Sequence, residues 1–309
     1  MLKLDPIKIE RILYATDFSP SSLQALPEAL RIARRFGSRL DVLHVLIPQQ
    51  VRLGEGDVGP SDPEAVRRRL VAWAQGELDR LVAGIGEPAV EASTSVREDA
   101  YPGPAILDLA RQEGVDLIVL GTHGRRGPGR LVLGSVAEEV VRRAPCPVLT
   151  VREREEAPEA GPIASILVPV DFSEPSQRAL ALARDVAGRF GARLDVLHVV
   201  EQVVLPGFYI PGAPGVFPHN LEALHGAADE EIRRLMEALG EPPVPWQGRV
   251  ITATPSFGIV EQAETLASDL IVMATRGLTG LERLLLGSTA ERVVRMAPCP
   301  VLTVGADTR

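Results

Sequence analysis

Apolar positions fall into short runs separated by longer amphipathic stretches along the whole 309-residue chain. Ile9–Ala15, Leu40–Leu46 and Leu117–Leu120 are largely apolar and rich in β-formers, the pattern of strands buried on both faces of a parallel sheet. Val90–Val96 alternates, and Val148–Val151 is a last short apolar run. Between these runs the periodicity is helical. Ser19-Pro20 opens a helix to about Phe36, with Gly37 as its stop. Pro63 to about Val82, Ala105–Glu113 (ended by Gly114) and Ser135–Arg143 predict three more. Ser135 with Glu138 three residues on has the spacing of a capping box. Five strands alternating with helices predict a doubly wound α/β unit, its parallel sheet covered on both faces.

The pattern then repeats. Ile12-Leu-Tyr-Ala-Thr-Asp17-Phe-Ser19 returns as Ile166-Leu-Val-Pro-Val-Asp171-Phe-Ser173, and Arg39-Leu-Asp-Val-Leu-His44 returns as Arg193-Leu-Asp-Val-Leu-His198. Ala144-Pro-Cys146-Pro-Val-Leu-Thr-Val151 returns as Ala297-Pro-Cys299-Pro-Val-Leu-Thr-Val304. A period this long makes each copy a domain rather than a solenoid turn. The expected division is 1–152 for the first unit, 153–163 for a charged, Pro-bearing linker and 164–309 for the second unit.

Composition narrows the function. A net charge of −8 argues against general nucleic-acid binding, which needs a basic surface. No apolar run approaches the ~20 residues of a membrane span, and the start lacks a secretory core. Two cysteines make no disulfide framework. A cytoplasmic protein without nucleic-acid or membrane partners is the expectation.

The chemistry concentrates between Gly121 and Ser135, a glycine-bearing loop that leaves an apolar strand and enters a helix. Glycines allow close backbone approach, and unpaired N–H groups at a helix start attract anions. In open α/β sheets, ligands sit outside the carboxyl ends of the strands at the switch point. Asp17 ends the first strand and Gly121 the fourth, so both lie on that edge. No Gly-x4-Gly-Lys-Ser/Thr loop occurs, which excludes P-loop machinery, and no Gly-x-Gly-x-x-Gly follows the first strand, which sets dinucleotide dehydrogenases aside.

Both units resemble the universal stress protein (UspA-like) family across nearly their whole length. Asp17-Phe-Ser, Leu43-His-Val, the Gly121–Ser135 loop and the closing Ala-Pro-Cys-Pro-Val-Leu-Thr-Val carry the resemblance. The family's ATP-binding branch is marked by Gly-x2-Gly-x9-Gly-Ser/Thr, which the first unit matches at Gly121, Gly124, Gly134 and Ser135. The resemblance implies an adenine-nucleotide alpha-hydrolase-like fold: two five-stranded parallel sheets of order 3-2-1-4-5, paired through their last strands as a pseudo-dimer within one chain. It implies Asp17 at the ribose or adenine end, the Val45 backbone at the adenine and Gly121 beside the ribose. Gly124, Gly134, Ser135 and Val136 are implied at the phosphates of ATP or another adenine nucleotide, with Mg2+ as a possible companion ion.

The second unit keeps Asp171, Val199, Gly277, Gly287 and Ser288 but has Ala274 where the pattern asks for its first glycine. A methyl there crowds the sugar or strains a backbone that needs positive φ, so the first unit is expected to be the stronger site. Arg125, Arg126 and Arg130 give the first loop charge to offset a triphosphate. His123, within the motif, is a poor catalytic candidate because nothing near it in sequence orients it. His44, His198, Cys146, Cys299, Trp73 and Trp246 read as packing residues. The leading function is an ATP-binding regulatory protein of the stress response, with a further homodimer of chains open. The alternatives are a slow ATPase or nucleotidyl-transfer enzyme and a nucleotide-free interaction module.

Overall fold

The computed structural model describes residues 7–48, 63–122, 133–154, 161–201, 221–240, 244–277 and 286–305. In the first unit, strands β1 (Arg11–Ala15), β2 (Arg39–Leu46), β3 (Ala92–Glu98), β4 (Leu117–Gly121) and β5 (Val148–Val151) alternate with four helices. These are α1 (Pro20–Phe36), α2 (Pro63–Ala83), α3 (Pro102–Gln112) and α4 (Ser135–Arg143). The second unit repeats them as β6 (Ser165–Pro169), α5 (Glu174–Phe190), β7 (Arg193–Glu201), α6 (Leu221–Leu239) and β8 (Trp246–Ala253). It continues with α7 (Pro255–Thr265), β9 (Leu270–Ala274), α8 (Ser288–Met296) and β10 (Val301–Val304).

The punctuation seen in the sequence sets the helix limits. Ser19 is the N-cap of α1 and accepts the Ser22 N–H, Pro20 supplies a preset first φ, and Gly37 ends the helix at φ 72°. Ser173 and Gly191 do the same for α5. The capping box expected at Ser135 does not form. Gly134 is the N-cap of α4, without a side-chain cap, and Ser135 is already the first helical residue. Ser135 therefore lies one position too far along to cap.

The strands form one ten-stranded sheet of order β3-β2-β1-β4-β5-β10-β9-β6-β7-β8. Each half has the expected 3-2-1-4-5 order, parallel throughout, and the halves meet through antiparallel β5 and β10. Side chains alternate between faces along each strand, and both faces are covered. Ile12 and Tyr14 join a core under α1, α2, α5 and α6; Leu13 and Ala15 join the other under α3, α4, α7 and α8. Thus each core runs across both units.

The junction has local two-fold pseudosymmetry. Leu149 faces Leu302, both almost fully buried, and the Thr150 and Thr303 hydroxyls each donate to a carbonyl across the junction at 3.1 Å. On the helices, Phe36 and Phe190 lie 6.3 Å apart, with Arg35 over Phe190 and Arg189 over Phe36. Because β5 and β10 run antiparallel, the carboxyl ends of the two sets of strands open on opposite edges of the sheet. Any pair of sites at those ends is back to back. Among the described residues no helix is long and apolar enough to cross a membrane.

Candidate functional site

At the end of β1 the chain turns sharply into α1. Asp17 is half-buried, and its Oδ1 accepts the Ser19 N–H at 3.0 Å, closing an Asx turn. Phe18 takes a left-handed φ of 62°, unfavourable for a bulky residue and held by its surroundings. Its N–H bonds Thr16 Oγ1 at 3.0 Å, and its ring lies 4.6 Å from the His44 ring and edge-on to Trp73. His44 Nδ1 in turn meets the Thr16 carbonyl at 2.8 Å. Buried Tyr14 donates to the Ser22 carbonyl at 2.7 Å, and burial pushes its phenol pKa well up, so it stays a donor. These contacts fix the position from which Asp17 projects.

The Val45 position follows from strand pairing. The Leu43 carbonyl accepts the Thr16 N–H at 2.9 Å, a backbone bond that continues the β1–β2 ladder past the end of β1. Alternate residues of a parallel strand turn their backbone groups to the same neighbour. Val45 therefore presents its N–H and C=O to the side that β1 vacates when it turns into α1. Thr16, Leu43 and Val45 are matched in the second unit by Val170, Leu197 and Val199, with the Val170 N–H on the Leu197 carbonyl at 2.8 Å.

Beside β1, β4 ends at Gly121, and the Gly134 N–H bonds the Thr122 carbonyl at 2.9 Å. That bond brings the start of α4 to the end of β4 and uses the Gly134 donor, which the resemblance had given to phosphate. The next N–H groups, of Ser135 and Val136, have no acceptor within the helix. Ser135 is exposed, whereas the Val136 side chain packs on the second core, so Val136 presents backbone only. The strand order thus gathers Asp17, Val45, Gly121, Gly134, Ser135 and Val136 around the ends of β1, β2 and β4. Gly124, His123, Arg125, Arg126 and Arg130 lie outside the described residues.

Gly121 itself answers to a different neighbour. A Cβ there would stand 2.7 Å from the backbone carbon and hydroxyl of Ser21 and 2.8 Å from its carbonyl oxygen. The first glycine of the motif is therefore required by the first turn of α1. Its counterpart Ala274 ends β9 with ordinary strand geometry, and Pro175 stands where the first unit has Ser21. The positive φ anticipated at this position is absent from both units; it belongs to Phe18 and Phe172. In the first unit the glycine thus answers to packing against α1.

The second unit shows more of its loop. Asp171 Oδ1 accepts both the N–H and the hydroxyl of Ser173, at 3.1 and 2.5 Å. A Cβ on Gly277 would overlap Asp171 Oδ2 and lie 3.3 Å from its Cγ. The Gly287 N–H bonds the Thr275 carbonyl at 2.9 Å, as Gly134 does with Thr122, and Ser288 opens α8. Phe172 stacks on His198 at 4.4 Å, and His198 Nδ1 meets the Val170 carbonyl at 2.8 Å. The two histidines thus close the same corner in each unit.

Cys146 and Cys299 are buried free thiols, and burial pushes each pKa up to about 12, far from a reactive thiolate. Trp246 packs on the first core, but Trp73 is 43% exposed and touches Phe18 edge-on, so it is no core residue. Sequence reasoning passed over Phe18 and Phe172. Their one signal was the identical Asp-Phe-Ser in both units, since an aromatic residue at left-handed φ runs against propensity.

The model of the universal stress protein family matches residues 8–152 and again 163–305. A universal stress protein of Mycobacterium tuberculosis is 28% identical over 276 residues, 85% of this chain and 86% of its own. One from Methanocaldococcus jannaschii is 39% identical over 139 residues, 45% of this chain and 80% of its own. Among solved structures, a universal stress protein from Archaeoglobus fulgidus aligns with a TM-score of 0.69 over 96% of this chain and 97% of its own. Its identity is 22%, which makes it a likeness of fold. With both halves matched and the doubled 3-2-1-4-5 sheet in place, the chain belongs to the universal stress protein family as a tandem two-domain member.

Proposed function

We propose that this protein binds an adenine nucleotide, ATP first, in each unit and acts as a cytoplasmic regulator in a stress response. The observation that carries the reading is the meeting of three features at the β1/β4 switch point. They are the Asp17 carboxylate, the open backbone side of Val45 and the start of α4. A carboxylate accepts sugar hydroxyls, a free strand edge reads the donor and acceptor of a base, and a helix start holds phosphate. The residues present fit the ligand, with the phosphate donors being Ser135 and Val136 while Gly134 stays bonded to Thr122. In the second unit, Asp171, Val199, Gly287, Ser288 and the loop around Ala274 and Gly277 take the corresponding places. Mg2+ would reach the site on the phosphates, with no protein ligand assigned to it.

The first site is the stronger in this reading, on loop charge. Arg125, Arg126 and Arg130 stand in the first loop, whereas the second offers Arg276 and Arg283 beside Glu282. Asp17→Ala removes an acceptor that meets the ligand with a full charge, so the first site should weaken about 10- to 100-fold while the second is unchanged. Calorimetric titration with ATP checks this. Equal weakening of both sites, or of neither, contradicts the assignment of Asp17. Phosphate release followed over the same period separates binding from turnover.

A further inference from the structure

We propose that Gly277 is a positioning residue whose missing side chain makes room for the Asp171 carboxylate, locking the two ends of the second site together. The inference rests on the nucleotide-binding reading for its functional meaning and on packing alone for its structural part. Motif glycines are ordinarily read as places where backbone approaches a ligand. Here the space beside the Gly277 Cα is taken by the protein itself: a Cβ would overlap Asp171 Oδ2 and lie 3.3 Å from Cγ.

The end of a side chain can usually swing away from such an overlap. This one is pinned. Asp171 Oδ1 holds the Ser173 N–H at 3.1 Å and the Ser173 hydroxyl at 2.5 Å, and Ser173 Oγ accepts the Ser176 N–H that caps α5. The next residue, Phe172, is fixed at φ 65° with its ring stacked on His198. Turning the carboxylate breaks the Asx turn and disturbs the cap; shifting Gly277 strains the end of β9, where the Thr275 carbonyl holds the Gly287 N–H. Both routes cost something, so the contact couples the carboxylate to the Thr275–Gly277 backbone.

The consequence is mechanical. The carboxylate that would meet the sugar packs against the Thr275–Gly277 backbone, which in turn holds the start of α8 through the Gly287 N–H. The third glycine is set by backbone too, since a Cβ on Gly287 would stand 3.0 Å from the Thr275 carbonyl. The motif is therefore a record of internal packing as well as of ligand approach.

A double-mutant cycle on the full chain tests the coupling. Gly277→Ala should weaken ATP at the second site about tenfold in the wild-type background and by less than about twofold in an Asp171→Ala background. The first site serves as the internal control and should not change. The melting temperature gives a second readout that needs no nucleotide: Gly277→Ala should lower it by about 2–4 °C, and Asp171→Ala should abolish that loss. Equal losses in both backgrounds overturn the proposal and return Gly277 to direct ligand contact. Absence of ATP binding at either site overturns the function proposed above, and the melting cycle then decides this inference by itself.

Discussion

At the scale of single residues, the first motif position shows how one glycine can differ from its copy. Gly121 carries the first turn of α1 against the end of β4, with Ser21 backbone atoms where a Cβ would go. Gly121→Ala should cost about 1–3 kcal/mol as an overpacking change. The reverse change, Ala274→Gly, should cost no more than about 1 kcal/mol, the ordinary price of glycine in a strand. Denaturant unfolding of the two variants measures the difference, and equal costs would show that Ser21 yields freely. The glycine pattern was legible in the sequence, but its physical reason was not. Ser21 is far from Gly121 along the chain, and only the fold brings them together. The left-handed Phe18 was hidden for a similar reason: the rings of His44 and Trp73 that hold it come from β2 and α2.

At the scale of elements, strand starts are tied by buried carboxylates. Asp41 of β2 bonds Arg11 of β1, the Ser93 hydroxyl of β3 at 2.6 Å and Arg39 at 3.1 Å. Burial alone would push its pKa up, but the Ser93 hydroxyl and the Arg11 guanidinium outweigh it and hold the carboxyl below the usual range. The folded pKa lies below the unfolded one, so the ionised group stabilises the fold above pH ~4, and this is lost as pH falls through the folded value. Asp41→Asn should destabilise the protein by about 1–3 kcal/mol at pH 7, with the gap closing below pH ~4. Chemical denaturation across pH checks it; a gap that persists at pH 2 would place the effect in packing. Element limits read well where punctuation was chemical, as at Ser19, Pro20 and Gly37. They read less well at Ser135, because a Ser-x-x-Glu spacing fits the N-cap and the first helical position equally. Val90–Val96 shifted to Ala92–Glu98, an edge strand with intermediate burial on both faces and therefore a weak period.

At the scale of the molecule, the duplication was plain in the sequence, while the continuity of the sheet came from the resemblance. Short Val-Leu-Thr-Val strands carry no sign of their partner, yet pairing β5 with β10 joins two sheets and carries each core across the junction. Arg152 reaches the Met296 carbonyl at the end of α8, and the Ile7 N–H bonds the Asp185 carboxylate of α5 at 3.0 Å. Cutting a protease site inserted among residues 155–160 should therefore leave the halves together, eluting at the volume of the uncut chain in gel filtration. Two separate half-size species would show that the connection, rather than the β5–β10 seam, holds the units.

The antiparallel junction puts the two proposed nucleotide sites of one chain on opposite edges of a shared sheet. Native mass spectrometry of the full chain with increasing ATP counts them directly. One bound nucleotide is expected at low ATP and two at higher ATP, with Asp17→Ala weakening the tighter site about 10- to 100-fold and Asp171→Ala weakening the other. A chain that stays free of nucleotide at millimolar ATP, or that keeps both affinities unchanged with both aspartates replaced, would contradict this.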